Sequence, residues 1–186
     1  LTIGAMVFSN TLLVFMISFQ FSMYELMIDN SLRIFTGHMQ VQAPGYNDDQ
    51  KMRQVVPDVR PLAEQLRSDL ESNTVAARGW AFGLASSEAR TYGIGIYGVE
   101  PEFEGRVSNI PGLIEEGRFL GQIDAMEIVI GSVLARNLRV GVGDEITLLG
   151  SGLDGSFAAA VLVVVGIFES GVKEVDRNIA EMPLGT

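Results

Sequence analysis

The first twenty-four residues, Leu1 to Tyr24, carry no formal charge. They hold Ile3, Met6, Val7, Phe8, Leu12, Leu13, Val14, Phe15, Met16, Ile17, Phe19, Phe21 and Met23. A helix of that length reaches roughly 36 Å, and a hydrocarbon core is about 30 Å thick, so the run predicts a membrane span. Asn10 and Gln20 are polar but uncharged, and in a membrane they favour a neighbouring helix over lipid. A removable signal peptide has a shorter apolar core and small residues at its cleavage site, whereas this run ends in Phe19-Gln20-Phe21-Ser22-Met23-Tyr24. A buried helix of a soluble protein is the remaining alternative. Beyond the run, Leu26, Met27, Ile28, Leu32, Ile34 and Phe35 are interspersed with Glu25, Asp29, Asn30 and Arg33. This pattern predicts a helical stalk over Tyr24 to Phe35 with an apolar stripe. Arg33 is accompanied by Glu25 and Asp29, so the positive-inside rule leaves this end free to face outward.

The chain has 186 residues, a net charge of −10 and no cysteine. That is enough for one sizeable core, or a smaller domain plus a membrane helix. The acidic balance argues against a nucleic-acid partner, because phosphate binding needs a basic patch. Without cysteine there is no disulfide, thiolate nucleophile or thiolate metal site. The first residue is leucine and the last two are Gly185-Thr186, just past an apolar run; we expect a fragment of a longer protein.

After Gly37, which ends the stalk, His38 to Ala43 alternates polar and apolar residues as a half-buried strand does. Pro44-Gly45 breaks it, and Tyr46 to Gln54 reads as loop. Pro57-Asp58 and Pro61 suit a helix start with Asp58 as cap. Leu62, Leu66 and Leu70 then form one face, with Glu64, Arg67, Asp69 and Glu71 on the solvated side. Val75 to Leu84 and Arg90 to Val99 read as two strands, giving β-α-β with an added hairpin. Between Glu100 and Gly121 short helices are expected at Glu102–Val107 and Ile110–Glu115. Gly150 to Ser156 is a turn, Phe157 to Phe168 a long apolar strand, and Ile179 to Leu184 another.

The best-defined stretch is Glu127 to Leu149. Ile128-Val129-Ile130 suits a buried strand. Gly131 breaks it, and Ser132 is placed to cap a short helix whose Leu134 and Leu138 share one face. Gly141 is expected to stop that helix in a left-handed conformation, and Gly143-Asp144 to turn the chain into the next strand. These are folding roles; none of these residues looks like a nucleophile, base or ligand.

The sequence from Ile128 through Asp144 resembles the signature of the extracytoplasmic domain in MacB-like and lipoprotein-releasing (LolC/LolE-type, FtsX-like) ABC transporter permeases. Val164-Val165-Gly166-Ile167-Phe168, with Gly171 and Asp176, resembles the next block of that family. Gly37-His38-Met39-Gln40-Val41-Gln42 resembles the strand after the first membrane helix, and Glu116-Gly117-Arg118-Phe119 the turn ahead of the main motif. The likeness covers most of the chain.

Other motifs carry less. Gly93-Ile94-Gly95-Ile96-Tyr97-Gly98 matches G-x-G-x-x-G, but a dinucleotide site needs the last glycine to open a helix toward pyrophosphate. Here the flanks alternate as a strand and Pro101 follows closely, so close packing on the strand is the better reading. There is no phosphate-binding G-x-x-x-x-G-K-[ST] loop. His38 is the one histidine and has no placeable triad or zinc partners. Asp48-Asp49 and Glu115-Glu116 read as solvated loop charge, and no calcium loop is present.

The expected architecture is α+β: a transmembrane helix with stalk over residues 1–36, then a mixed α/β extracytoplasmic MacB-like core domain over 37–186. Within it, 37–99 would be the β-α-β part and 100–186 a second α/β part, incomplete at its C-terminus. The resemblance implies a non-catalytic permease subunit with no cofactor or metal. It implies a separate ATPase subunit, a second permease subunit in a homo- or heterodimer, and contact with membrane lipid. The function implied is mechanotransmission, in which ATP hydrolysis in the cytoplasm drives outward export, or release of a lipoprotein or amphiphile. The setting would be the bacterial inner (cell) membrane, with residues from about 37 onward in the periplasm or outside the cell. Leu26, Met27, Asn30 and Arg33 would carry the coupling. In lipoprotein-releasing members a long loop captures a periplasmic carrier; the matching Gly150 to Ser156 is short and has no proline or aromatic residue. The alternative is a membrane-anchored extracytoplasmic sensor or scaffold domain without a transport role.

Overall fold

The computed structural model describes residues 2–34, 37, 39–48, 54–72, 74–152 and 155–186, without the side chains of 29–31, 33 and 34. Phe35, His38, Asp49 and Asp154, and the side chains of Asn30 and Arg33, therefore lie outside the described residues. The chain forms two compact units, Leu1–Gln40 and Val41–Thr186.

The first unit is helix α1, Thr2–Ile34. Gly37, at φ 65°, follows it and donates its N–H to the Leu32 carbonyl at 2.8 Å. Glycine takes this left-handed conformation without the clash a Cβ brings.

The second unit contains, in order, α2 (Val59–Asp69), β1 (Arg78–Ser86), β2 (Thr91–Val99), α3 (Pro101–Val107), a 3₁₀ turn (Ile110–Leu113), β3 (Ile114–Gly117), β4 (Glu127–Gly131), α4 (Ser132–Leu138), β5 (Glu145–Ser151), β6 (Phe157–Phe168), α5 (Lys173–Asn178) and β7 (Ile179–Pro183). The seven strands form one mixed sheet in the order β3-β6-β4-β7-β2-β1-β5. Because β5 also pairs with β6, six strands close into a circuit and β3 flanks it on β6. Closure leaves few free strand edges. The parallel pairs are β4 with β6 and β2 with β7.

Alternation along the strands explains the core. Ile94 and Ile96, Ile128 and Ile130, Ile146 and Leu148, and Leu162 and Val164 all join one buried cluster. Leu134, Ala135 and Leu138 of α4 complete it. The short helix is held at its C-terminus by the β1–β2 hairpin. Ser87 Oγ donates to the Leu138 carbonyl at 2.7 Å, and Arg90 Nη1 to the Asn137 carbonyl at 3.3 Å. These donors satisfy carbonyls that have no partner within a helix.

The structure corrects several local expectations. Residues 39–43 form no strand, and Met39 and Val41 are exposed; alternation alone cannot make a strand where no neighbour completes the hydrogen-bond ladder. Among the described residues of 37–99 the elements are α2, β1 and β2. Asp58 sits at the N-cap of α2 but in a left-handed conformation with no side-chain cap bond. Leu70 lies just past α2 and is exposed. Ser132 is the first residue of α4, and the cap position belongs to Gly131. A Cβ at Gly131 would lie 2.6 Å from the Asp176 Cα, so the glycine is there for the close approach of α5.

Arg139, not Gly141, takes the left-handed conformation that ends α4, at φ 59°. Val140 N–H then bonds back to the Ala135 carbonyl at 3.1 Å while its side chain packs on the core. That hydrophobic anchor fixes the helix end two residues earlier than the glycine pattern indicates. Finally, the segment expected as a helix from Ile110 to Glu115 is a 3₁₀ turn followed by β3, because β6 offers an edge to pair with.

Candidate functional site

Helix α1 is 33 residues long, and its stretch Thr2–Ile28 has a mean hydropathy of 1.8. Every described side chain on this stretch is exposed. The apolar residues surround the helix, so no polar face is left to meet water. Thr11 Oγ1 donates to the Val7 carbonyl at 2.9 Å, satisfying its hydroxyl within the helix as a lipid setting requires. Phe15 and Phe19 stack one turn apart, at 6.3 Å between ring centres. Leu26 and Met27 are exposed, and Asn30 and Arg33 continue the same helical backbone.

In the second unit the polar chemistry is concentrated where α2, α3, β1, β2 and β7 meet. Arg67 of α2 is expected on the solvated side. Its side chain is instead largely buried and paired with Glu100, with its guanidinium 3.5 Å from the centre of the Phe103 ring. Its Nε donates to the Val75 carbonyl at 2.8 Å, and Glu100 also accepts from Ala77 N–H at 2.8 Å. One turn along α3, the fully buried Glu104 receives Arg78 of β1 through both Nε, at 3.1 Å, and Nη2. Both carboxylates thus have a forked or doubly donated partner, as burial of charge demands.

A third carboxyl, Glu181 of β7, is equally buried. Burial, then the Glu104 charge, push it up to about 8 against the opposing pull of Arg78. Burial also raises the neighbouring Tyr97 phenol, with Arg78 opposing and Glu181 adding. Sequence reading missed Glu104 and Glu181, and picked out Asp176 only within the family-like block, without its burial. The spacing of Glu100 and Glu104, four apart across a helix start, was the available signal that both share one face.

The motif residues fall into folding positions. Leu134 and Leu138 are fully buried. Gly141 N–H donates to Asp144 Oδ2 at 2.8 Å, and Gly143, at φ 97°, donates to the Val164 carbonyl at 2.7 Å. The turn therefore fixes where β5 begins beside β6. Just before the motif, Arg118 grips Glu127 at the start of β4, with Nη1 to Oε2 at 3.0 Å. That hydrogen bond holds the Glu127 carboxyl below its ordinary range.

The glycine motif lies wholly within β2, without a helix to receive phosphate. A Cβ at Gly95 would lie 2.6 Å from Trp80 Cζ3, and one at Gly93 would lie 3.2 Å from Phe82 Cζ. These glycines make room for aromatic rings on β1, and Trp80 also packs on Tyr97 at 4.6 Å between centres. Glu115 and Glu116 lie on β3, and Glu115 is pushed up by Glu169 beside it. Among the described residues no group of three or more His, Cys, Asp or Glu side chains is placed to hold a metal ion.

An apolar helix followed by a mixed α/β domain is also the order expected of a permease with an external domain. The fold is similar to the extracellular domain of the noncanonic ABC-type transporter YknZ from Gram-positive bacteria. The TM-score is 0.53 at 13% identity, over 77% of this chain and 70% of that one. No curated protein matches. Residues 1–186 match the MacB-like periplasmic core domain, and the chain belongs to that family. It is accordingly a component of an ABC transporter permease, from a family of generally non-catalytic subunits that work with an ATPase and a permease partner. The apolar helix and periplasmic-type domain mark a membrane-anchored protein with an extracellular domain.

Proposed function

We propose that the chain transmits mechanical displacement in an ABC transporter, coupling ATP hydrolysis on a separate cytoplasmic subunit to outward export or lipoprotein release. The observation that supports this is α1. Its apolar stretch ends at Ile28, yet the helix continues unbroken to Ile34. A continuous helix carries a displacement across the membrane boundary, whereas a loop absorbs it. In this reading residues 1–36 are membrane helix and stalk, and 37–186 the external domain, in a bacterial inner (cell) membrane. Leu26, Met27, Asn30 and Arg33 form the coupling segment, facing the stalk of a second permease subunit. Gly150 to Ser156, between β5 and β6, is short and has no proline or aromatic residue, which weighs against a hook for a periplasmic carrier. This role covers lipoprotein release through a partner subunit, export of a small amphiphile or peptide, and lipid handling.

Asn30→Pro tests the coupling. Proline removes one backbone bond and clashes with the carbonyl four residues back, costing about 3 kcal/mol or more and kinking the helix. In the assembled complex the variant should keep ATP hydrolysis and lose export, while Asn30→Ala keeps both. Export at the wild-type rate, with Asn30→Pro present in the membrane, would refute coupling through α1.

A further inference from the structure

Glu181 is 1% exposed, and its Oε2 has no hydrogen-bond partner. Buried polar atoms are nearly always paired, so an orphaned carboxyl oxygen is unusual. The strands beside β7 present Tyr97 from β2 and the apolar Val129 from β4 at this level. Charge reaches Glu181 from Glu104 on α3 and Arg78 on β1. Arg78 is already gripped by Glu104. Among the described residues, the other buried carboxyls around these elements have partners: Glu100 with Arg67, and Asp176 of α5 with the Ser170 N–H at 2.8 Å and hydroxyl at 2.7 Å. One guanidinium therefore serves two buried carboxyls. If both ionise, the described groups leave one negative charge uncompensated away from water, and a single bound proton removes it.

We propose that Glu181, Glu104 and Arg78 form a proton-operated latch that holds α3 against the sheet, closed while Glu181 is protonated and loosened when it ionises. The moving side is α3. Glu181 and Arg78 are fixed in strand ladders, whereas Glu104 sits on a helix of 7 residues. Repulsion between Glu181 and Glu104 is relieved by shifting that helix outward, where water reaches the carboxylates. Since burial and Glu104 raise the Glu181 carboxyl to about 8, the latch works on the alkaline side of neutral. A domain outside the membrane barrier meets external pH directly, so its helix α3 would report that pH.

The test is amide hydrogen exchange on the full chain in lipid nanodiscs, from about pH 6.5 to about pH 9.5, corrected for hydroxide catalysis. Protection of 101–107 relative to 145–151 should fall by about tenfold or more, on the scale of one proton per pH unit. Glu181→Gln keeps the shape without the charge and should abolish the fall. Glu104→Gln removes the repelling charge and frees Arg78 for Glu181, and should likewise abolish the fall. Infrared spectra of the wild type supply a readout that depends on no variant. A neutral buried carboxyl band at pH 7 should titrate away above pH 8. Absence of that band at pH 7, or an equal loss of protection in Glu181→Gln, would overturn the latch.

Discussion

Gly95→Ala probes the packing that turns a nucleotide-like motif into a structural one. The added Cβ would lie 2.6 Å from Trp80 Cζ3 and 3.2 Å from Cζ2. Carbon atoms prefer about 3.5–4.0 Å and Cη2 lies closer still, so the indole must retreat by about 1.5–2 Å or swing away. The obstacle is a side chain, and Trp80 is 42% exposed, so the strand can survive while the ring moves. Overpacking of this kind costs about 1–3 kcal/mol, and loss of the Trp80–Tyr97 contact a further 0.5–1.5 kcal/mol or so. Replacing glycine recovers about 0.4–1 kcal/mol of unfolded-chain entropy. The net expectation is a loss of about 1–3 kcal/mol. Trp80 is the one tryptophan in the sequence, so intrinsic fluorescence reads its ring directly. Emission should shift to the red as the indole leaves Gly95, and thermal unfolding should come earlier. Gly112→Ala is the control, because a Cβ there meets nothing within 4 Å. An unchanged spectrum and melting curve for Gly95→Ala would show that the glycine is not there for Trp80.

Leu134→Ala removes a fully buried core side chain and should cost about 2–5 kcal/mol, measured by urea unfolding. Calorimetric titration of the chain with ATP should show no micromolar binding, since Gly93, Gly95 and Gly98 lie in a strand. For pH, Glu181 binds its proton more tightly folded than unfolded. The folded domain should therefore lose stability as pH rises from about 4.5 to about 8, and lose nothing further above that. Glu127 acts oppositely: its lowered carboxyl contributes stability above about 4.5 that is lost as pH falls through its folded value. Urea midpoints of Glu181→Gln and the wild type should diverge as pH rises through that first window.

The strongly periodic parts of the fold were legible in sequence. The uncharged N-terminal run, the β-branched Ile128-Val129-Ile130 and the long apolar Phe157–Phe168 each impose one kind of burial, and each forms the expected element. Elements that depend on a distant partner were not. Glu116 and Gly117 enter β3 only because Ile167 and Gly166 of β6 lie opposite, and Met39 and Val41 stay out of a strand for want of such an edge. Local cap chemistry likewise yielded to packing. Leu138 and Val140 both reach the core, and this puts Arg139 in the left-handed position that Gly141 advertised. The buried carboxylates were the least visible. Nothing in Ile179 to Pro183 separates a buried glutamate from a solvent-facing one, because its partners Glu104 and Arg78 are far away in sequence.

The closed sheet also bears on how such a domain contributes to transport. A circuit of six strands is narrow enough for its own side chains to fill, and Ile94, Ile128, Ile130, Ile146 and Leu162 share one buried cluster, joined by Leu134 of α4. A packed interior of this kind conducts nothing and deforms little, since cores at crystal-like density transmit strain instead of absorbing it. The domain thus has two ways to respond to a force or a chemical signal. It can move as one body, which suits a part displaced through a continuous helix. Or it can move at an element tied on by polar contacts, and α3, held through Arg67, Arg78 and their glutamates, is such an element. The two are separable by experiment. Asn30→Pro acts on the first and leaves the Glu181 titration intact, while Glu181→Gln acts on the second and leaves the helix that crosses the membrane unchanged.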